Sequence, residues 1–152
     1  MKLQLPEDLI KGVYDVGDEY GFYADLSKLI ASAATDVLIV DAYLSRKVFD
    51  LYVADVPTAA SVRVLTDLKK IAPDLVIVAG MLKRKRQIEI RSDARIHDRY
   101  VFIDGRGWSI GASIKDAARK SPTAMVEQTE PGLGALKGVY EGIWSSASTI
   151  PI

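Results

Sequence analysis

The sequence of 152 residues contains no cysteine. That absence excludes disulfides and thiolate metal sites, and it fits a reducing cytoplasmic setting, which is the expected location. Histidine is almost absent too, with His97 the single one. Without a second imidazole or any thiolate there is no basis for a zinc cluster, and neither a metal nor another cofactor is expected. Long apolar runs are missing, so no membrane span is expected, and Met1-Lys2-Leu3-Gln4-Leu5-Pro6-Glu7 does not have the form of a signal peptide. No amphipathic membrane-binding segment stands out, which speaks against a membrane partner. There is no repeat, no low-complexity segment and no internal linker. What remains is a chain with 49% apolar residues, long enough for one domain, residues 1–152, with a real core.

Net charge is also missing, because 20 Lys/Arg balance 20 Asp/Glu. The zero conceals an uneven distribution. Residues 1–60 carry 5 Lys/Arg and 10 Asp/Glu, whereas residues 83–99 carry 7 Lys/Arg against Glu89, Asp93 and Asp98. The densest part is Lys83-Arg84-Lys85-Arg86. Such a run concentrates polyanions nearby, which makes these four residues candidate nucleic-acid contacts. It equally suits the last turn of a helix, where cations meet the negative end of the dipole.

Along the chain, Pro6-Glu7-Asp8 can start a short helix, which Gly12 and Gly17 keep from being long. In residues 19–34, Phe22, Leu26, Leu29, Ile30 and Ala33 recur at helical spacing. Residues 36–43 form an apolar run bounded by acids, the pattern of a buried parallel strand. Ser45 can cap a short helix to about Val53, and residues 61–66 read as a second strand. Residues 69–84 suit either a helix from near Pro73 or a strand over 75–78; helix is preferred, because the basic run then finishes it. Residues 87–91 alternate as a third strand. A hairpin supplies two more, residues 123–128 a sixth, and residues 135–147 a closing helix with Leu136, Val139, Tyr140, Ile143 and Trp144 inward. Helices alternating with strands imply an α/β domain with a mixed sheet, parallel first and antiparallel after the hairpin.

The chemistry gathers in residues 95–116, R-I-H-D-R-Y-V-F-I-D-G-R-G-W-S-I-G-A-S-I-K-D. Tyr100, Val101, Phe102 and Ile103 read as a buried strand, Gly105-Arg106-Gly107 as a turn, and Trp108 to Ile110 as the returning strand. Strand alternation puts His97 and Arg99 on one face. The small residues Gly111, Ala112 and Ser113 leave room above it. An imidazole, a guanidinium and hydroxyl or backbone donors around a small space suit a phosphate. Other site types find no support: Gly105-Arg106-Gly107 is too short for a nucleotide-binding loop, and no nucleophile-elbow sequence occurs.

This stretch resembles the motif of the phospholipase D superfamily: His-x-Lys, four residues, Asp, six residues, then Gly-Ser or Gly-Gly. His97-x-Arg99, Asp104 and Gly111-Ala112 keep that spacing. It is most similar to a small prokaryotic branch whose histidine precedes Asp-Arg and whose turn reads Gly-Ala-Ser-x-Lys-Asp, matched here by Gly111, Ala112, Ser113, Lys115 and Asp116. Arg99 stands where lysine is usual, and Ala112 where serine is frequent. The resemblance implies a three-layer α/β/α phospholipase D-like domain with a mixed central sheet. It also implies metal-independent, nuclease-like phosphodiester cleavage. In that chemistry one histidine attacks phosphorus and forms a phosphohistidine, and a second protonates the leaving oxygen and later activates water. The two come from two copies of the motif. With one motif per chain, the expectation is a homodimer in which each chain donates His97.

On this reading His97, Arg99 and Asp104 are the catalytic set, and Arg99, Ser113 and Lys115 bind phosphate oxygens. Ser113 replaces the hydroxyl missing at Ala112, and Lys115 restores the ammonium missing at Arg99. Nuclease members often carry a glutamate near Pro122-Thr123, and Glu127 lies farther along the strand. Each residue also has a plainer role. His97 can be structural, Arg99 can pair with Asp98 or Asp104, and Asp104 can simply open the turn at Gly105. The substitutions at Arg99 and Ala112 also fit a catalytically inactive dimeric module. Such a module would bind nucleic acid, phosphate or a protein partner within a larger system.

Overall fold

A computed structural model describes residues 10–152, so the short helix expected at Pro6-Glu7-Asp8 lies outside the described residues. The three-layer α/β/α architecture with a mixed central sheet is what the chain adopts. The sheet has eight strands in the order β1-β7-β6-β5-β2-β3-β4-β8. Its centre is three parallel strands, β2 (Asp36–Val40), β3 (Ser61–Thr66) and β4 (Ile88–Ser92). The hairpin β5 (Tyr100–Ile103) and β6 (Arg106–Ile110) joins antiparallel to β2, followed by β7 (Thr123–Glu127).

Short strands close both edges: β1 (Val13–Tyr14) on β7 and β8 (Ser148–Ile150) on β4. Helices α1 (Glu19–Ala31), α2 (Arg46–Leu51) and α3 (Pro73–Lys83) pack on one face; α4 (Gly132–Ser146) packs on the other.

Burial on both faces explains why β2 is an unbroken apolar run. Val37 and Ile39 meet the three-helix side, and Leu38 and Val40 meet α4. Helix α1 buries Phe22, Leu26, Leu29 and Ile30, the stripe its spacing predicts, and Asp18 caps its start by accepting from the Gly21 amide. The ambiguous segment is a helix from Pro73, preceded by a short turn over Leu68–Lys70. Helix α4 turns Tyr140 and Trp144 inward, but Val139 is 57% exposed, contrary to the sequence reading. Arg63 fastens α4 to the sheet, donating to Asp36 on β2 and to Glu141 on the helix.

The hairpin turn is tighter than expected. Strand β6 already begins at Arg106, and the loop is Asp104-Gly105, with φ of +50° and +93°. Two successive positive φ values are what a two-residue type I′ turn demands, and Asp-Gly supplies them. Gly107 is therefore a strand residue; a Cβ there would lie 2.7 Å from the Phe102 ring.

Each parallel strand ends in an aspartate that folds back on its own chain. Asp41, Asp67 and Asp93 accept from the amides of Tyr43, Lys69 and Arg95 at 2.9, 3.0 and 2.9 Å. These Asx turns swing the chain out of the sheet along its C-terminal rim.

Candidate active site

His97 stands on that rim, just past β4. The loop bearing it is held by its neighbours. The Arg95 guanidinium pairs with Asp93 at 2.7 Å and donates to Ser146 Oγ at 2.9 Å, and Ile96 is fully buried beneath α4. His97 and Asp98, next along the chain, are exposed. His97 precedes the strand rather than lying in it, because β5 starts at Tyr100 and the ladder reaches back only to the Arg99 carbonyl, which accepts from Ile110 N. Strand alternation therefore does not relate His97 to Arg99.

Arg99 is nevertheless tied to it. The guanidinium donates to the carbonyls of His97, Ile110 and Gly111 at 3.3, 3.4 and 2.8 Å. It thus clasps the end of β6 to the histidine loop, in place of the ion pair with Asp98 or Asp104. Three of its five N–H groups are used this way, so its charge stays beside His97 with donors in reserve. Arg99 also lines a depression of about 280 Å³ with Asp98, Tyr100, Ser109, Gly111 and Ala124.

Below the rim lies Asp41, which is fully buried. Its carboxylate accepts from the Ile114 amide at 2.8 Å, the Tyr43 amide at 2.9 Å and Ser113 Oγ at 3.0 Å. Burial pushes its pKa up; the three donors and the nearby Arg99 charge pull it back. Sequence reasoning missed Asp41, treating it as the boundary of an apolar run. The available signal was an acid one residue past a doubly buried strand, where it must find donors or be lost. Ser113 is spent on this carboxylate.

The other candidates lie elsewhere. Asp104 is at the opposite end of β5, roughly 16 Å from Arg99 at about 3.3 Å per residue. There its carboxylate accepts from the amides of Ala34, Thr35 and Asp36 at 2.7–3.0 Å and from Thr35 Oγ1 at 2.8 Å. Desolvation raises its pKa, but these donors outweigh it and hold the group at about 2. Lys115 pairs with Asp116 at 2.9 Å and lines a cleft between α1 and α2. Glu127 pairs with Arg106 at 2.9 Å.

Lys83, Arg84, Lys85 and Arg86 precede β4, whereas His97 follows it, so the basic run and the histidine occupy opposite ends of the sheet. Arg84 and Lys85 are exposed, while Arg86 turns inward onto the carbonyls of Val53 and Val56. Among the described residues no group of three or more His, Cys, Asp or Glu side chains gathers as a metal site, and no helix is long and apolar enough to cross a membrane.

No family model and no curated protein matches the sequence. Solved structures match its fold. NucT from Helicobacter pylori superposes with a TM-score of 0.70 at 14% identity, over 91% of this chain and 97% of that one. Nuc from Salmonella typhimurium, a phospholipase D family member, gives 0.66 at 15% identity, over 84% and 89%. The fold is that of the phospholipase D family. TrmBL2, an archaeal chromatin protein with a novel mode of DNA binding, has the same fold over 93% of this chain, with a TM-score of 0.64 and 12% identity. The chain spans 55% of the TrmBL2 chain. On this fold His97 is exposed, Arg99 is a clasp between backbone carbonyls, and Asp104 holds the amides that lead into β2.

Proposed function

We propose that the protein is a metal-independent phosphodiesterase, nuclease-like in substrate and dimeric in its active form. One observation carries the reading: an exposed histidine, backed by a clasped guanidinium, at the rim of a phospholipase D fold. One imidazole attacks phosphorus, so a P–N bond forms as the P–O bond to the leaving group breaks. The second copy's His97, as imidazolium, protonates the departing oxygen. It then takes a proton from water, whose oxygen displaces the first imidazole and releases phosphate monoester.

The sheet offers a place for that second copy. Helix α4 covers the side of β2, β3 and β5 that carries Leu38, Val40, Leu65 and Phe102, but the continuation across β6, β7 and β1 lies open. Val126 and Val13 on that continuation are 51% and 62% exposed, and the Arg99 depression opens beside them.

A second reading has its own observation. Arg99 and Ser113 already bind protein groups, which fits a dimeric module that holds a nucleic acid, phosphate or protein partner without cleaving it. Hydrolysis of bis-p-nitrophenyl phosphate and of DNA, both in chelator, separates the two. The expected result is turnover that falls by more than about ten-thousandfold in His97→Ala, beyond the ~10²–10⁴-fold of general acid–base help alone, because the nucleophile is lost as well. DNA binding without turnover by the wild type would instead establish the binding module.

A further inference from the structure

Away from His97, a cleft of about 230 Å³ opens between α1, α2 and the turn Ile114–Asp116. Its floor is apolar, with Phe22 at 2% and Ile114 at 4% exposure. One wall is a relay of tyrosines: Tyr20 and Tyr23 have ring centroids 6.4 Å apart, and Tyr23 and Tyr52 5.7 Å. Tyr20, at the mouth, is 77% exposed, a large aromatic surface left to water. Lys47 and Lys115 stand on the rim. Lys115 is shared with Asp116, while Lys47 is exposed and has no partner among the described residues. Glu19 is the acid on the same rim.

The volume is below the roughly 300–1,000 Å³ that encloses a whole drug-sized ligand, and it suits one flat ring system. The exposed face of Tyr20 beside a free ammonium suits a ring that carries an anion. We propose that this cleft is a nucleotide subsite: a base stacks on Tyr20, its phosphate meets Lys47, and Glu19 accepts from an exocyclic amine. The base must be unpaired to enter, so the strand recognised is single. This deepens the nuclease reading and rests on it for the nucleic-acid class, but the subsite can be tested apart from cleavage.

Tyr20→Ala and Lys47→Ala alter exposed side chains and leave the core in place. Binding of a fluorescein-labelled oligo(dA), of its duplex with oligo(dT), and of AMP is followed by anisotropy and by amide shifts in ¹⁵N-labelled protein. Single-strand affinity is expected to fall about tenfold in Tyr20→Ala and to survive in Tyr20→Phe, with the duplex unaffected. Shifts at Lys47, Leu51 and Ala117 with AMP alone identify a free nucleotide as sufficient, and shifts only with the oligonucleotide identify the strand as the source; both support the subsite. Affinity unchanged in Tyr20→Ala, or no binding of either probe by wild type, overturns it. Tyr20-dependent binding without cleavage would defeat the nuclease reading and leave the subsite standing; cleavage with Tyr20-independent binding would do the reverse.

Discussion

Asp104 and Asp41 bracket β2: one holds the amides that lead into the strand, the other the amides beyond its end. Their titrations differ in sign. Asp41 is buried, and its raised pKa means that its own contribution to stability is present at low pH and is lost as pH rises through the folded value. Asp104 is held at about 2, below the unfolded value of roughly 4, so its contribution is complete above pH ~4 and disappears as pH falls through about 2. Asparagine tolerates the positive φ at this position, so Asp104→Asn isolates the charge. The variant is expected to lose about 1 kcal/mol at pH 6, after allowance for exposure to water, and to show a flatter decline in stability between pH 4 and pH 2. Urea denaturation across that range checks it, and identical acid slopes would contradict the assignment. Spacing singled out Asp104, but its work could not be read there, because its partners lie 68 to 70 residues away in sequence.

Among the elements, the long apolar strands and the stripe of α1 were legible, since each carries its own periodicity. Strands β1 and β8, of two and three residues, were not: so short a segment shows no alternation, and only distant pairing partners define it. Val139 was misplaced for a related reason. Helix α4 needs only a narrow seam against the sheet, and spacing alone does not tell a seam from a wider face. The open half-sheet was equally invisible, because Val126 and Val13 look like ordinary strand residues until the position of α4 is known. Val126→Arg is expected to give a monomer by size exclusion with light scattering, to lose turnover, and to keep its unfolding free energy in urea within about 0.5 kcal/mol, as surface substitutions usually do. A wild type that is already monomeric at assay concentration would remove the shared active site.

For the whole molecule, proximity in sequence misleads about charge. Residues 83–86 come shortly before His97, yet the length of β4 separates them, and Arg86 is committed to backbone carbonyls. Lys83 donates its ammonium to the Ile152 carbonyl at 3.2 Å, so what the run offers a polyanion is Arg84 and Lys85. Changing both to alanine is expected to reduce the slope of log K against log[salt] for DNA binding by about 2, one per lost phosphate contact. An unchanged slope would show that DNA lies elsewhere on the surface.

The Asx turns along the rim also govern how this chain can diverge. Asp67 and Asp93 close on their own loops, and those loops take their outside ties from other residues, Leu68 N donating to Ser92 Oγ at 2.8 Å and Arg95 to Ser146 Oγ at 2.9 Å. Asp41 binds its own loop and the Ser113-Ile114 segment together. Those two loops are one structural unit, and a graft that replaces either must bring the other with it.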